Sequence, residues 1–152
     1  MREQMRSDLV RDLVRDLIRD EAMMLRAYRC PSGRLTIGVG RNIEDVGITE
    51  AEALHLLDND LTRVEGELDR NAPWWRGLPA PAQRGLVNMA FNLGWPRLAG
   101  FRKMLAALEG GNFTRAAAEA LHSRWAKQVG ARARRIADLY LSAEQNHEGE
   151  QA

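Results

Sequence analysis

From Ser7 to Glu21 the chain repeats a four-residue pattern, Ser-Asp-Leu-Val-Arg-Asp-Leu-Val-Arg-Asp-Leu-Ile-Arg-Asp-Glu. Leu9, Val10, Leu13, Val14, Leu17 and Ile18 fall on one helical stripe. Asp8, Asp12 and Asp16 stand three residues before Arg11, Arg15 and Arg19, a spacing that pairs charges on a helix surface. The pattern ends too soon for a coiled coil. Beyond it, Tyr28-Arg29-Cys30-Pro31-Ser32-Gly33-Arg34 holds a cluster of turn residues, and Leu35-Thr36-Ile37-Gly38-Val39-Gly40 alternates as a short strand does. A small β-hairpin or meander is predicted. Gly38 and Gly40 thin one face of that strand, which suits close approach of another backbone or a ligand.

Thr49-Glu50-Ala51-Glu52 matches a capping box. It opens a helix with Leu57, Leu61, Val64 and Leu68 on its apolar stripe. Some 20 residues at 1.5 Å each make this helix about 30 Å long, enough to bridge two lobes. Residues 71–81, with three prolines and the Trp74-Trp75 pair, form a break. The rest reads as helix: about 82–93 stopped at Gly94, 98–109 stopped at Gly110-Gly111, Asn112 capping a helix to about Trp125, and a last helix over 131–143 before a polar tail expected to fray. The fold class expected is α+β in one domain over residues 1–152. Its small lobe covers about 21–58, a linker helix about 50–69 and a helical lobe about 72–143, with the helix over 7–21 packing on the last.

The chain has 152 residues, 45% of them hydrophobic and 28% charged, with a net charge of +1 and a single cysteine. That length suffices for a buried core, and the composition is not that of a disordered chain. One cysteine excludes an internal disulfide framework. No uncharged run approaches the roughly 20 residues of a membrane span, and the Arg/Asp-rich start does not read as an export signal. A soluble protein of a reducing cytoplasm is the expectation. Near-zero net charge argues against a general nucleic-acid binder. Charge is uneven, however, with a net of −6 over residues 41–70 and +7 over 97–135. The basic segment could steer a polyanion, or be a solvated helix face.

Glu21 is the first candidate for chemistry, because it follows Leu17 and Ile18 on or beside the apolar stripe. Desolvation there would favour the neutral carboxyl and suit it to act as a general acid; the alternative is an ordinary salt-bridge partner at a helix end. Eight residues separate Glu21 from Cys30, and five separate Cys30 from Thr36. A helix followed by a hairpin can point the three into one cleft.

Glu-Ala-Met-Met-Leu-Arg-Ala-Tyr-Arg-Cys-Pro-Ser-Gly-Arg-Leu-Thr, followed by Ile-Gly-Val-Gly, resembles the signature of the bacteriophage-type lysozymes, or endolysins, of glycoside hydrolase family 24. Asn88-Met89-Ala90-Phe91-Asn92-Leu93-Gly94, Ala99-Gly100-Phe101 and Ser123-Arg124-Trp125 resemble three further landmarks of that family in the same order. The resemblance implies a lysozyme-like fold and hydrolysis of the β-1,4 bond between N-acetylmuramic acid and N-acetylglucosamine in peptidoglycan. It implies that Glu21 protonates the leaving oxygen, that Cys30 completes the catalytic site, and that Thr36 holds a water or braces its neighbour. Phe91 and Asn92 correspond to cleft-facing, substrate-binding positions, Phe91 having simple core packing as its alternative.

Two departures matter. Cys30 stands where the best-known relatives have Asp. A thiol of ordinary pKa, about 8.5, is mostly uncharged at neutral pH, whereas a thiolate could act as a base or attack the sugar directly; a small packing cysteine is the alternative. Arg41 stands where relatives often have His, and Asp60 matches the acid paired with it, so an Arg41–Asp60 ion pair is expected. His55, His122 and His147 are scattered, no metal-ligand cluster or phosphate loop occurs, and no cofactor or metal is expected. By resemblance the partner is the peptidoglycan glycan strand, with no nucleic acid and no stable membrane association. A monomer is expected to accumulate in the host bacterial cytoplasm and act on the wall after release through a separate holin. A catalytically weak or inactive peptidoglycan-binding module of the same fold is the alternative, supported by Cys30 alone.

Overall fold

The computed structural model describes residues 1–151, with side chains through residue 144. The chain divides into two compact units, Met1–Leu54 and His55–Ala152. The first holds α1 (Arg2–Glu21), then β1 (Met24–Arg29), β2 (Leu35–Gly38) and β3 (Arg41–Asn42). The second is helical, and α2 (Glu50–Asn71) begins in the first unit and continues into it. Mostly helical, with one small antiparallel sheet, the chain is α+β as expected.

Helix α1 starts five residues earlier than the repeat suggested. Its pairs form as spaced, Arg11–Asp8 at 3.1 Å, Arg15–Asp12 at 3.2 Å and Arg19–Asp16 at 3.7 Å. Exposed to water, such pairs contribute only about 0.3–0.5 kcal/mol each. None of the residues of α1 is buried. The strands form a meander in the order β1-β2-β3, with Tyr28 opposite Thr36, Arg29 opposite Leu35, and Thr36 opposite Asn42. A register irregularity separates the Met24–Gly38 pair from Tyr28–Thr36, so β1 carries extra chain just after α1.

The capping box forms in full. Glu52 N–H donates to Thr49 Oγ1 at 3.1 Å, and Thr49 N–H donates back to Glu52 Oε1 at 3.1 Å. At the far end of α2, Asp69 Oδ1 accepts from Trp75 Nε1 at 2.8 Å and from Arg76 Nε at 2.7 Å. These bonds hold the 3-10 turn Pro73–Gly77 beneath the helix.

The second unit is built from α3 (Ala80–Leu93), α4 (Trp95–Leu98), α5 (Arg102–Glu109), α6 (Phe113–Leu121), α7 (Arg124–Val129) and α8 (Ala131–Gln151). Its core is centred on Leu86, Met89, Leu98, Met104, Leu108, Phe113, Ile136 and Tyr140. Helix α8 packs against α3 and α6. Ala116, Ala117 and Ala120 face this core with Ala133 and Ala137, small side chains that let helices approach closely. Glu144 of α8 accepts from Phe113 N–H at 2.9 Å and Thr114 N–H at 3.2 Å, capping α6 from another helix.

Three boundaries differ from expectation. The helix expected over 98–109 is two, because Ala99–Phe101 turns between α4 and α5. The helix expected to run from Asn112 to Trp125 stops at Leu121. Asn112 does cap it, accepting from Arg115 N–H at 3.1 Å, but Ser123 caps a separate α7 through Ala126 N–H at 3.2 Å. A Ser inside an apolar-periodic run can compete with helix continuation, and here it does. Finally, α8 runs on to Gln151 rather than ending at Ala143. No helix among the described residues is long and apolar enough to cross a membrane.

Candidate active site

Glu21 is the last residue of α1. Ala22 leaves the helix with φ +64° and ψ 161°, the single positive φ outside glycine among the described residues. That region is almost reserved for glycine and stores about 1–3 kcal/mol in any other residue. It swings the chain sharply from α1 into β1. The carboxyl of Glu21 then lies against Gly40, on whose α-carbon a methyl would stand 3.0 Å from Glu21 Oε2 and 3.1 Å from Cδ. Glu21 is exposed and makes no ion pair within residues 1–54, so neither a desolvating stripe nor a salt bridge surrounds it in this unit.

Cys30 opens the turn between β1 and β2. Its N–H donates to Arg34 O at 2.9 Å, and its carbonyl accepts from Gly33 N–H at 2.7 Å. The sulfur sits 3.0 Å from Ser32 Oγ. Hydrogen bonding from the Ser32 hydroxyl and then from the Arg34 amide, with smaller help from Ser32 N–H and the Thr36 hydroxyl, outweighs desolvation and holds the thiol down at about 7. Near neutral pH this cysteine therefore stands between thiol and thiolate.

Thr36, on β2, is the one buried polar residue of the described chain, 3% exposed. Its hydroxyl donates to Arg34 O at 2.9 Å. Thr36 and Gly40 are four residues apart, no more than about 13 Å of extended chain. Glu21 lies against Gly40, just past the end of β2, while Cys30 and Thr36 stand at the turn where β2 begins.

Arg41 and Asp60, expected to pair, fall in different units, and each has a partner inside its own. Arg41 Nη1 donates to Glu52 Oε1 and to Gly47 O, both at 3.1 Å, while Asp60 pairs with Arg63 at 3.2 Å. The capping box turns the Glu52 carboxylate towards Arg41, and a three-residue spacing along α2 gives Asp60 a cation of its own. Bonds from the Thr49 amide and Arg41 hold the Glu52 carboxyl below the usual carboxylate range.

In the second unit Phe91 is 41% exposed and lines a groove of about 550 Å³ with Leu57, Leu61, Val87 and Leu139. It is therefore not a sealed core residue. Asn92 is exposed, and its Oδ1 accepts from Trp125 Nε1 at 2.8 Å, so half of its amide is committed to holding α7 against α3. Arg132 donates from Nε to Asn88 Oδ1 at 2.9 Å, linking α8 to the same stretch of α3.

Sequence reasoning missed Ser32 and Gly40 as parts of the site. The Cys-Pro-Ser-Gly turn was the available signal for the first. For the second it was the thinned glycine face, whose visitor is a side chain of the same chain rather than another backbone. His55 and His122 are exposed, and the side chain of His147 lies outside the described residues. No group of His, Cys, Asp and Glu suited to a metal occurs among the described residues.

A family model of phage lysozymes matches residues 19–139, from just before Glu21 to the middle of α8. The chain belongs to the phage lysozyme family. The α+β fold is the one the resemblance implied. The chain is also similar to the pre-baseplate central spike protein Gp5 of Enterobacteria phage T4, 28% identical over 150 residues. That match covers 80% of this chain and 26% of the relative, so the chain spans about a quarter of the curated relative it matches. The first 18 residues, most of α1, lie outside the family match, whereas Glu21, Cys30, Thr36, Phe91 and Asn92 all lie within it.

Proposed function

We propose that this member of the phage lysozyme family is a muramidase that hydrolyses the β-1,4 bond between N-acetylmuramic acid and N-acetylglucosamine in bacterial peptidoglycan. Glu21 is the general acid that protonates the departing glycosidic oxygen. Cys30, as thiolate, takes the place usually held by a second carboxylate, stabilising positive charge on the sugar or taking a proton from the attacking water. Thr36 braces the turn that carries Cys30 through its hydroxyl bond to the Arg34 carbonyl. Phe91 and Asn92 contact the glycan. The observation that carries the reading is that Glu21, Cys30 and Thr36 stand at the signature spacing inside the family match, with the Glu21 carboxyl resting against Gly40 of the same hairpin.

The chemistry of the hairpin favours this enzyme over a binding module that has lost turnover. A cysteine that only packs needs no donors around its sulfur. Cys30 has Ser32 at 3.0 Å and a thiol held at about 7, which restores at neutral pH much of the negative charge that an aspartate would supply. Acting on the wall as a monomer after release from the host cytoplasm through a holin pore is part of the same reading.

Purified protein and a Glu21→Gln variant, applied to isolated peptidoglycan, test it. The wild type clears the suspension, and the variant is slower by 100-fold or more, the order expected for loss of a general acid. After borohydride reduction the new chain ends are muramitol. Reduced glucosamine ends would assign the other glycosidic bond, and equal clearing by both proteins would remove Glu21 from the mechanism.

A further inference from the structure

Gly38 and Gly40 flank Val39 with almost the same positive φ, +71° and +69°. Their surroundings differ. A methyl added at Gly38 meets no atom within 4 Å, while one added at Gly40 meets Glu21 Oε2 at 3.0 Å, Cδ at 3.1 Å and Cγ at 3.4 Å. All three neighbours belong to one side chain, and no backbone atom is among them. Backbone conformation therefore accounts for glycine equally at both positions, but space accounts for it only at the second.

Glu21 has reason to need such a wall. It ends a helix, is exposed, and has no ion pair within its unit to fix its rotamer. A glutamate so placed has three side-chain torsions to settle. With no side chain at Gly40, Glu21 Cγ, Cδ and Oε2 occupy the space that a Cβ there would fill, so the glycine admits this placement of the carboxyl.

We propose that Gly40 is a positioning residue for Glu21: its missing side chain is the notch in which the carboxyl rests, and the notch sets the direction in which the acid presents its proton. The proposal rests on the assignment of Glu21 as the general acid. A methyl at position 40 displaces the far end of a flexible side chain rather than the fold, so the group that gives way is the carboxyl. A displacement near 1 Å at a reacting group can lower the rate by as much as 100-fold.

The test compares Gly40→Ala with Gly38→Ala in the full chain. Both are measured for thermal midpoint, for kcat and KM on soluble peptidoglycan fragments, and for the pH dependence of kcat. The two variants lose similar thermal stability, since both force a left-handed backbone on alanine. Only Gly40→Ala loses kcat, by about 10- to 100-fold, with KM little changed and its pH profile moved. Equal kcat and an unmoved profile in both variants, or an equal loss in both, overturns the proposal.

A second readout does not need turnover. The carbon-13 resonance of the Glu21 carboxyl shifts in Gly40→Ala and stays in place in Gly38→Ala, and the reverse or no difference overturns the proposal even if the wild type cleaves no glycan. Should Gly40→Ala not fold, the pair Glu21→Asp/Gly40→Ala decides. The shorter acid withdraws from the notch, so folding returns if the methyl acts through Glu21. If the double variant is also unfolded while Glu21→Asp alone folds, the proposal fails.

Discussion

The hairpin donors around Cys30 make a prediction that separates a working thiolate from a packing thiol. With the thiol held at about 7, the thiolate fraction is about 9% at pH 6, about half at pH 7 and about 90% at pH 8. An ordinary thiol near 8.5 would give about 0.3%, 3% and 24% at the same values. Cys30→Ser keeps the shape of the residue but supplies no anion. Both proteins retain Glu21, so the ratio of their rates reports on position 30. That ratio, from initial rates of peptidoglycan clearing at constant ionic strength, rises about 10-fold between pH 6 and pH 8 and levels off above it. Ser32→Ala removes the largest of the donors, and its own ratio against Cys30→Ser climbs at higher pH. A ratio flat from pH 6 to pH 8 would refute the thiolate, and one still climbing steeply at pH 9 would refute the donor cradle.

Two further outcomes follow from the backbone and the core. Ala22→Gly relieves the strained turn after Glu21, and raises the unfolding free energy by about 0.5–2 kcal/mol once the greater freedom of an unfolded glycine is set against the 1–3 kcal/mol of strain. A denaturant midpoint that falls would show that the turn is unstrained. Gly85→Ala puts a methyl 2.6 Å from the buried ring of Tyr140, where α3 and α8 cross, and lowers the unfolding free energy by about 1–3 kcal/mol. An unchanged thermal midpoint would mean that the helices separate there without cost.

Much of the architecture was legible because it depends on short-range pattern. The Asp-Arg spacing of α1, the Thr49–Glu52 box, the Asn112 cap and Gly94 at the end of α3 each act within four residues, and each is where the pattern put it. Two of the misplaced boundaries lie between 98 and 125, where apolar periodicity runs on while Gly100 and Ser123 interrupt it. Continuation or interruption was decided by packing against α8 and α3, which the local pattern does not contain.

The site divides in the same way. Residue types and spacing along one chain determined that an acid ends a helix, that a cysteine opens a hairpin and that a threonine lies on the returning strand. Which groups surround them depended on tertiary structure. Glu52 meets Arg41, because the cap bond aims its carboxylate. Ser32 joins Cys30, because the turn folds back on the sulfur. Glu21 rests on Gly40, because a strained alanine redirects the chain. Torsions and i to i+4 contacts are written in sequence, but the neighbours that set a proton affinity or a rotamer arrive through space, and only the folded chain brings them.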